Sequence, residues 1–220
     1  MIDFENVISI TIPEGDVAVI ARGDEILWKK RKYKRELAYL ENTERQWIDT
    51  GYIPNATSSV EMIASGLSAN SFTVATGTWF FGARAGYLNR AFGSYYDPSN
   101  STLYYAFGNQ MKNSVIKTLY NGEQKFYANS VGMYVNDVIT VTATPNTFTS
   151  PVPLSLFGLN NNGSVISSTK YKMHYFKIWD NGVLVRDFIP VLDWNDRPCM
   201  YDKVTDTLFY NQGTGEFSYS

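Results

Sequence analysis

The residues able to do chemistry are few and widely spaced. Retaining glycoside hydrolysis needs two carboxyl groups about 5 Å apart. On a strand, only residues i and i+2 share a face, roughly 6.5–7 Å apart. A strand with acids at i, i+2 and i+4 would carry that chemistry, and no segment has one. Glu41 and Glu44 stand three apart, so they do not share a face if extended. Asp193 and Asp196 flank a turn-like Trp194-Asn195, and Asp202 and Asp206 straddle a turn. A Ser-His-Asp triad would have to use His174, the one histidine. It lies in the strand-like Tyr171–Trp179 segment with no nucleophile motif beside it, and reads as a packed or surface histidine. A lone histidine also argues against a transition-metal site. Cys199 is the one cysteine, which excludes an internal disulfide and a multi-cysteine zinc site and fits a reducing compartment. Arg22-Gly23-Asp24 matches an integrin-binding tripeptide, but three residues recur by chance and serve equally as a turn.

Aromatic side chains offer more. Trp79-Phe80-Phe81, Tyr87, Phe92, Tyr95-Tyr96 and Tyr104-Tyr105 crowd one stretch. Where aromatics are consecutive in a strand, one of each pair must point away from the core. The stretch 79–105 is therefore expected to expose rings, with Trp79, Tyr87, Tyr95, Tyr96 and Tyr104 as candidate ligand contacts. Sugars stack on such rings, and so do neighbouring protein chains. Gly77, Gly82, Gly86 and Gly93 are expected to supply bends there.

Short strands must position these rings. Val7–Ile12 alternates at period two, Pro13-Glu14-Gly15-Asp16 breaks it, and Asp16–Ile20 and Ile26–Trp28 read as further strands around a turn at Arg22–Glu25. Three such strands are marginal alone and call for a packing partner. Residues 29–36, KKRKYKRE, read as a solvated basic run. Beyond it, strand follows turn: 60–64, 78–82, 103–107, 115–120, 138–142, 154–157 and 171–179, punctuated by Ser65-Gly66, Asp97–Asn100, Asn121-Gly122, Asn161–Gly163 and Asp180–Gly182. Thr144–Pro153 holds three prolines and reads as a loop. No stretch keeps helical periodicity for twelve residues, so the pattern is that of an all-β sandwich or barrel. The division expected is an attachment segment over 1–31, a linker over 32–36 and a main domain over 37–220.

Composition agrees. The 220 residues are 44% hydrophobic, 18% charged and 15% aromatic, enough to build a core and too weakly charged for disorder. The net charge of −2 gives no electrostatic case for nucleic acid or an anionic membrane. The acidic start MIDFENVISITIPEG lacks the basic start and apolar run of a signal peptide, and no apolar run approaches a membrane span.

Two groups of motifs carry a resemblance. Leu37–Tyr52 (LAYLENTERQWIDTGY) opens the main domain. Phe157–Gly163, Lys177–Asp180, Leu184–Val191, Pro198–Val204 and Phe209–Gly215 close it. Over residues 37–220 they resemble the concanavalin A-like and laminin-G-like domains of bacteriophage and gut-bacterial surface proteins. The first residues are more weakly similar to short modules of phage tail, baseplate and head-fibre proteins. The resemblance implies a two-sheet antiparallel jelly roll with structural roles for Trp47, Asp49, Arg186, Asp187, Tyr201 and Asp202. It implies that the final hairpin returns beside Trp47–Thr50 and closes the sheet. Laminin-G domains can hold a rim calcium on Asp and Asn oxygens, the kind of ligand this ion takes, which makes Asp97, Asn100 and Asn160 its candidates here, with Asn161 and Asn162 beside them. No other cofactor is expected. The implied setting is the virion, assembled in the host cytoplasm. There a non-enzymatic protein would dock on other virion proteins through residues 1–31 and display the jelly roll to a host-surface glycan or protein, as a homo-oligomer, with trimers common among such fibres. A bacterial surface carbohydrate-binding module and a laminarinase-like hydrolase are the rival readings; the absent signal peptide counts against the first and the absent carboxylate strand against the second.

Overall fold

The computed structural model describes residues 9–11, 19–22, 25–29, 31–43, 45–67, 78–87, 89–97, 99–116, 122–167 and 170–220, with backbone alone for 9–29, 78 and 167. These residues form strands, turns and loops and no helix. β1 (Ser9–Thr11), β2 (Val19–Arg22) and β3 (Glu25–Lys29) make an antiparallel sheet of their own. The sandwich begins with β4 (Arg35–Glu36), β5 (Leu40–Glu41), β6 (Ile48–Asp49), β7 (Ser58–Ser65) and β8 (Thr78–Arg84). It continues with β9 (Ala91–Asp97), β10 (Thr102–Gly108), β11 (Gln110–Val115), β12 (Gln124–Asn129), β13 (Gly132–Val135) and β14 (Val138–Thr142). β15 (Ser155–Leu156), β16 (Gly158–Asn161), β17 (Ser164–Ser167), β18 (Lys172–Asp180), β19 (Val183–Leu192), β20 (Pro198–Asp202), β21 (Thr207–Phe209) and β22 (Ser218–Tyr219) complete it.

Two antiparallel sheets pack face to face. The smaller runs β11-β10-β9-β8-β15-β6, with β16 alongside β8 in a parallel pairing and β17 beyond it. The larger runs β14-β13-β12-β7-β18-β19-β20-β21, with β4 beside β19, and β5 linking β18 to β22. The core between them is aromatic. Phe81 of the smaller sheet meets Phe176 of the larger edge-on at 5.4 Å, and Phe80 meets Phe126 at 5.3 Å. Phe80, Phe81, Phe126 and Phe176 are all fully buried. Strand pleating selects these faces: on β7, Val60, Met62 and Ala64 point inward while Glu61 and Ile63 stay partly exposed. Asn181 and Gly182 at φ 47° and 79°, and Asn162 and Gly163 at 53° and 91°, turn the chain between β18 and β19 and between β16 and β17. Positive φ at both central positions is what a two-residue hairpin requires.

Several expectations change. The basic run is no free linker. Arg35–Glu36 pairs with β19, Lys34 donates its amide to Leu192 and its ammonium to Asp196, and Tyr33 is buried against the Val191–Cys199 cluster. The amphipathic body of Tyr33 supplies the burial that the charge count concealed. The sandwich therefore includes residues from Arg31 on, whose carbonyl accepts from the Trp194 indole. The strand expected at 115–120 is Gln110–Val115, its register fixed by pairing with β10, while 117–121 lie outside the described residues. The strand expected from Asp16 is described over Val19–Arg22. The proline-rich 144–153 forms no strand, as expected, and is tied down by the Asn55–Thr149 bridge, by the Gln110 side chain on Thr144 and by Asn146 on the Phe107 carbonyl. The end of the chain does return to Trp47: Gln212 donates to its carbonyl at 2.9 Å and its amide donates to Asn211 Oδ1 at 3.2 Å. The sheet is closed there by β22 on β5, whereas Ile48–Asp49 belongs to the other sheet.

Candidate binding face

The outer face of the smaller sheet carries a row of rings. Trp79 on β8 stands opposite Tyr95 on β9, Tyr95 opposite Tyr104 on β10, and Tyr104 opposite Asn113 on β11. A bulge between Trp79 and Phe81 lets Phe80 and Phe81 both enter the core while Trp79 stays out. Tyr95 and Tyr104 stack with centroids 4.4 Å apart and planes 2° apart, and Trp79 leans on Tyr95 at 4.7 Å. Tyr95 is thus covered on both faces, and the second face of Tyr104 looks along the row toward the exposed Asn113.

Two glycines build the floor. Gly82 and Gly93 pair across β8 and β9. A Cβ on Gly93 would come 2.7 Å from the Phe81 carbonyl oxygen, 2.8 Å from the Gly82 Cα and 3.2 Å from the Trp79 ring. One on Gly82 would come 3.1 Å from the same ring. These glycines, expected as bends, are instead the close approach that lets the indole lie down on the sheet. Trp79 is accordingly only 7% exposed and acts as a base for the face, not as an open platform.

Arg84, at the end of β8, completes the face. Its Nε donates to Asn161 Oδ1 at 3.0 Å, and its guanidinium lies 5.7 Å from the Trp79 ring centre. Burial lowers its pKa, with the phenols of Tyr87 and Tyr95 acting in the opposite direction. Burial first, then the neighbouring Tyr104 and Asp97, push the Tyr95 phenol up, so it stays neutral in ordinary buffers. Tyr87, 78% exposed in the β8–β9 turn, is the one of these rings fully open to solvent.

The other sequence candidates sit elsewhere. Tyr96 is a correction: it is 3% exposed and packs in the core, because strand alternation that turns Tyr95 outward must turn Tyr96 inward. Asp97 folds its carboxylate onto its own turn, accepting from Ser99 N at 3.0 Å, Ser99 Oγ at 2.6 Å and Asn100 Nδ2 at 3.1 Å. Asn160 is buried, bonding the Pro153 carbonyl and the Gly163 amide. The calcium candidates are thus divided between two separately satisfied turns, and among the described residues no three His, Cys, Asp or Glu side chains converge as a metal site. Asp49 accepts from the Gly51 amide at 2.8 Å. Asp202, fully buried, accepts from the Asp187 and Val204 amides and the Thr205 hydroxyl, with Arg186 Nε at 3.6 Å. Arg186 also donates to the Thr50 carbonyl, and Tyr201 donates to Asp206 while packing on Tyr33. Arg186 with Thr50, Tyr201 with Tyr33, and Trp47 with Asn211 and Gln212 tie the late part of the chain to residues 33–50, whereas Asp49 braces its own turn and Asp202 the β19–β20 pair. Asp193 is likewise structural: burial raises its pKa, but bonds from Arg197, Asn195 and Tyr210 outweigh this and hold it below the usual range. Glu44, Gly23 and Asp24 lie outside the described residues.

His174 has partners that the sequence did not show. It is the extra residue of a bulge between Met173 and Tyr175 in the β18–β7 pairing. The bulge brings its Nε2 to 2.8 Å from Ser65 Oγ, with Glu123 Oε1 3.5 Å from Nδ1. Serine, imidazole and carboxylate fall in relay order, but Ser65 is only 7% exposed and leaves a reacting carbonyl little access. The bond ties two strands together at the bulge.

No known protein family and no curated protein matches this chain. The described residues include no helix long and apolar enough to cross a membrane.

Proposed function

We propose that the chain is a non-enzymatic virion protein whose sandwich binds a host-surface glycan through the outer face of the smaller sheet, and whose residues 1–31 dock on other virion proteins. The observation that carries the glycan reading is the open ring face of Tyr104, at one end of the row built on Trp79 and Tyr95, with Arg84 and the exposed Tyr87 at the other end. Apolar ring faces suit the C–H faces of a sugar, and the phenols, the guanidinium and the Asn113 and Asn161 amides suit its hydroxyls. Binding fits this face better than hydrolysis, because Asp97, two residues beyond Tyr95, spends its carboxylate on its own turn. The virion setting rests on the motifs of residues 1–28 and 37–220 alone. A glycan array compared between the parent and Tyr104→Ala tests the reading. Loss of the ring should weaken binding about tenfold, equivalent to ~1.4 kcal/mol, with the near-ultraviolet circular dichroism of the core preserved. Silence of the parent across host-derived glycans sinks the glycan reading, and absence of the labelled protein from particles sinks the virion reading.

A further inference from the structure

We propose that the ligand of this face is an acidic glycan, and that the carboxylate of a uronic or sialic acid unit is held by the Arg84 guanidinium. The inference rests on the glycan reading above and adds the charge of the ligand to it.

Arg186, the arginine of this fold that is buried to a comparable degree, has the Asp202 carboxylate at 3.6 Å, and even the exposed Arg197 meets Asp193 at 2.8 Å. Arg84 is also half-buried, yet among the described residues it has no carboxylate partner. Its one hydrogen bond there is from Nε to the neutral amide of Asn161. Among the described residues, the groups acting on it electrostatically are the phenols of Tyr87 and Tyr95 and no carboxylate. A guanidinium cannot escape this by losing its proton, because it stays charged throughout the ordinary pH range. Taking a cation partly out of water without a counter-charge is unfavourable, and such charges are normally paired.

The geometry fits an external counter-charge. Asn161 is aligned with Arg84 in the parallel pairing of β16 with β8, and the Asn162 amide donates to the Arg84 carbonyl at 2.8 Å. The backbone is therefore fixed, and the bond to Nε sets the plane of the fork. Among the described residues nothing takes the hydrogens of the terminal nitrogens, which leaves them for a planar bidentate acceptor such as a carboxylate. Tyr87, whose phenol acts on Arg84 and whose ring is open to solvent, offers ring surface for the pyranose that bears the acid. A neutral sugar would leave the charge of Arg84 unanswered, and an aromatic or apolar protein surface would bury it further.

The test measures binding of polygalacturonate, sialyllactose and their carboxyl-reduced counterparts to the full chain, for the parent, Arg84→Gln and Arg84→Lys. The parent should bind at least one acid about tenfold or more tighter than its reduced form, a hydrogen bond to a charged group being the stronger kind. Arg84→Gln should abolish that preference, and Arg84→Lys should keep only part of it, because lysine lacks the fork. Near-ultraviolet circular dichroism of both variants checks that the Trp79–Tyr95 contact survives, and the lysine variant carries the test if glutamine disturbs folding. Equal binding of acid and reduced forms by the parent overturns this inference and leaves the glycan reading standing. An acid preference that persists in Arg84→Gln overturns the inference as well, since the charge would then be read elsewhere. Failure of the parent to bind any sugar of a broad panel overturns both.

Discussion

Gly93→Ala sets two opposed effects against each other, and the structure decides which wins. Gly93 has no positive φ, so alanine can adopt its backbone conformation. Restricting the unfolded chain would then stabilise the fold by about 0.4–1 kcal/mol. Against this, the new Cβ would stand 2.7 Å from the Phe81 carbonyl oxygen and 2.8 Å from the Gly82 Cα, inside the 3.0 Å that real Cβ atoms essentially never breach. Both obstacles are backbone of β8, so no side chain can rotate away; the two strands must part. The third neighbour, Trp79 at 3.2 Å, must lift as well. Overpacking of this kind costs about 1–3 kcal/mol. The sterics win, and the net loss is roughly 1–2 kcal/mol, or about 2–8 °C in melting temperature for a chain of this size. Gly82→Ala should be milder, because its nearest obstacle is the flexible tip of Leu159 at 2.7 Å. Urea unfolding should show a lowered midpoint with an unchanged slope. The near-ultraviolet dichroism of the Trp79–Tyr95 pair should change, and glycan binding should weaken. A Gly93→Ala protein as stable as the parent, with an unaltered aromatic spectrum, would falsify the glycine floor.

Two further outcomes follow from the buried groups. Asp202→Ala leaves the Asp187 and Val204 amides without their acceptor and Arg186 without its counter-charge; it should cost about 3–5 kcal/mol, roughly 6–20 °C, while Asp202→Asn, which keeps one acceptor oxygen, should cost less in the same melt. Burial pushes the Cys199 thiol up to about 12 from its ordinary 9.0 and the Tyr52 phenol up to about 12 from 10.0. A folded-state pKa above the unfolded one means that the unfolded chain releases its proton first. Stability is therefore intact below pH 9 and lost between pH 9 and 12. Urea midpoints measured across that range should fall, and a thiol reagent at pH 8 should label Cys199 only after denaturant is added; a flat profile to pH 12 would contradict the burial of both groups.

Strand content, the Asn-Gly hairpins and the split of Tyr95-Tyr96 and of Tyr104-Tyr105 between core and surface are legible in the residues alone, because pleating and turn sterics act over two to four residues; Phe80 and Phe81 both enter the core because a bulge interrupts that alternation. Alternation showed that one of Tyr95 and Tyr96 faces out; it could not say which, because that depends on register against β8 and β10. Residues 32–36 read as a linker because composition counts charges, whereas their attachment depends on β19 some 155 positions away. Arg84 passed unnoticed because an arginine is informative only once its surroundings show no acid. His174 read as isolated because Ser65 lies 109 residues off and reaches it through a bulge that no local pattern announces. Local chemistry fixes which residues can turn and alternate; tertiary register alone decides which of them meet, and so whether a charge is answered within the chain or left for a ligand.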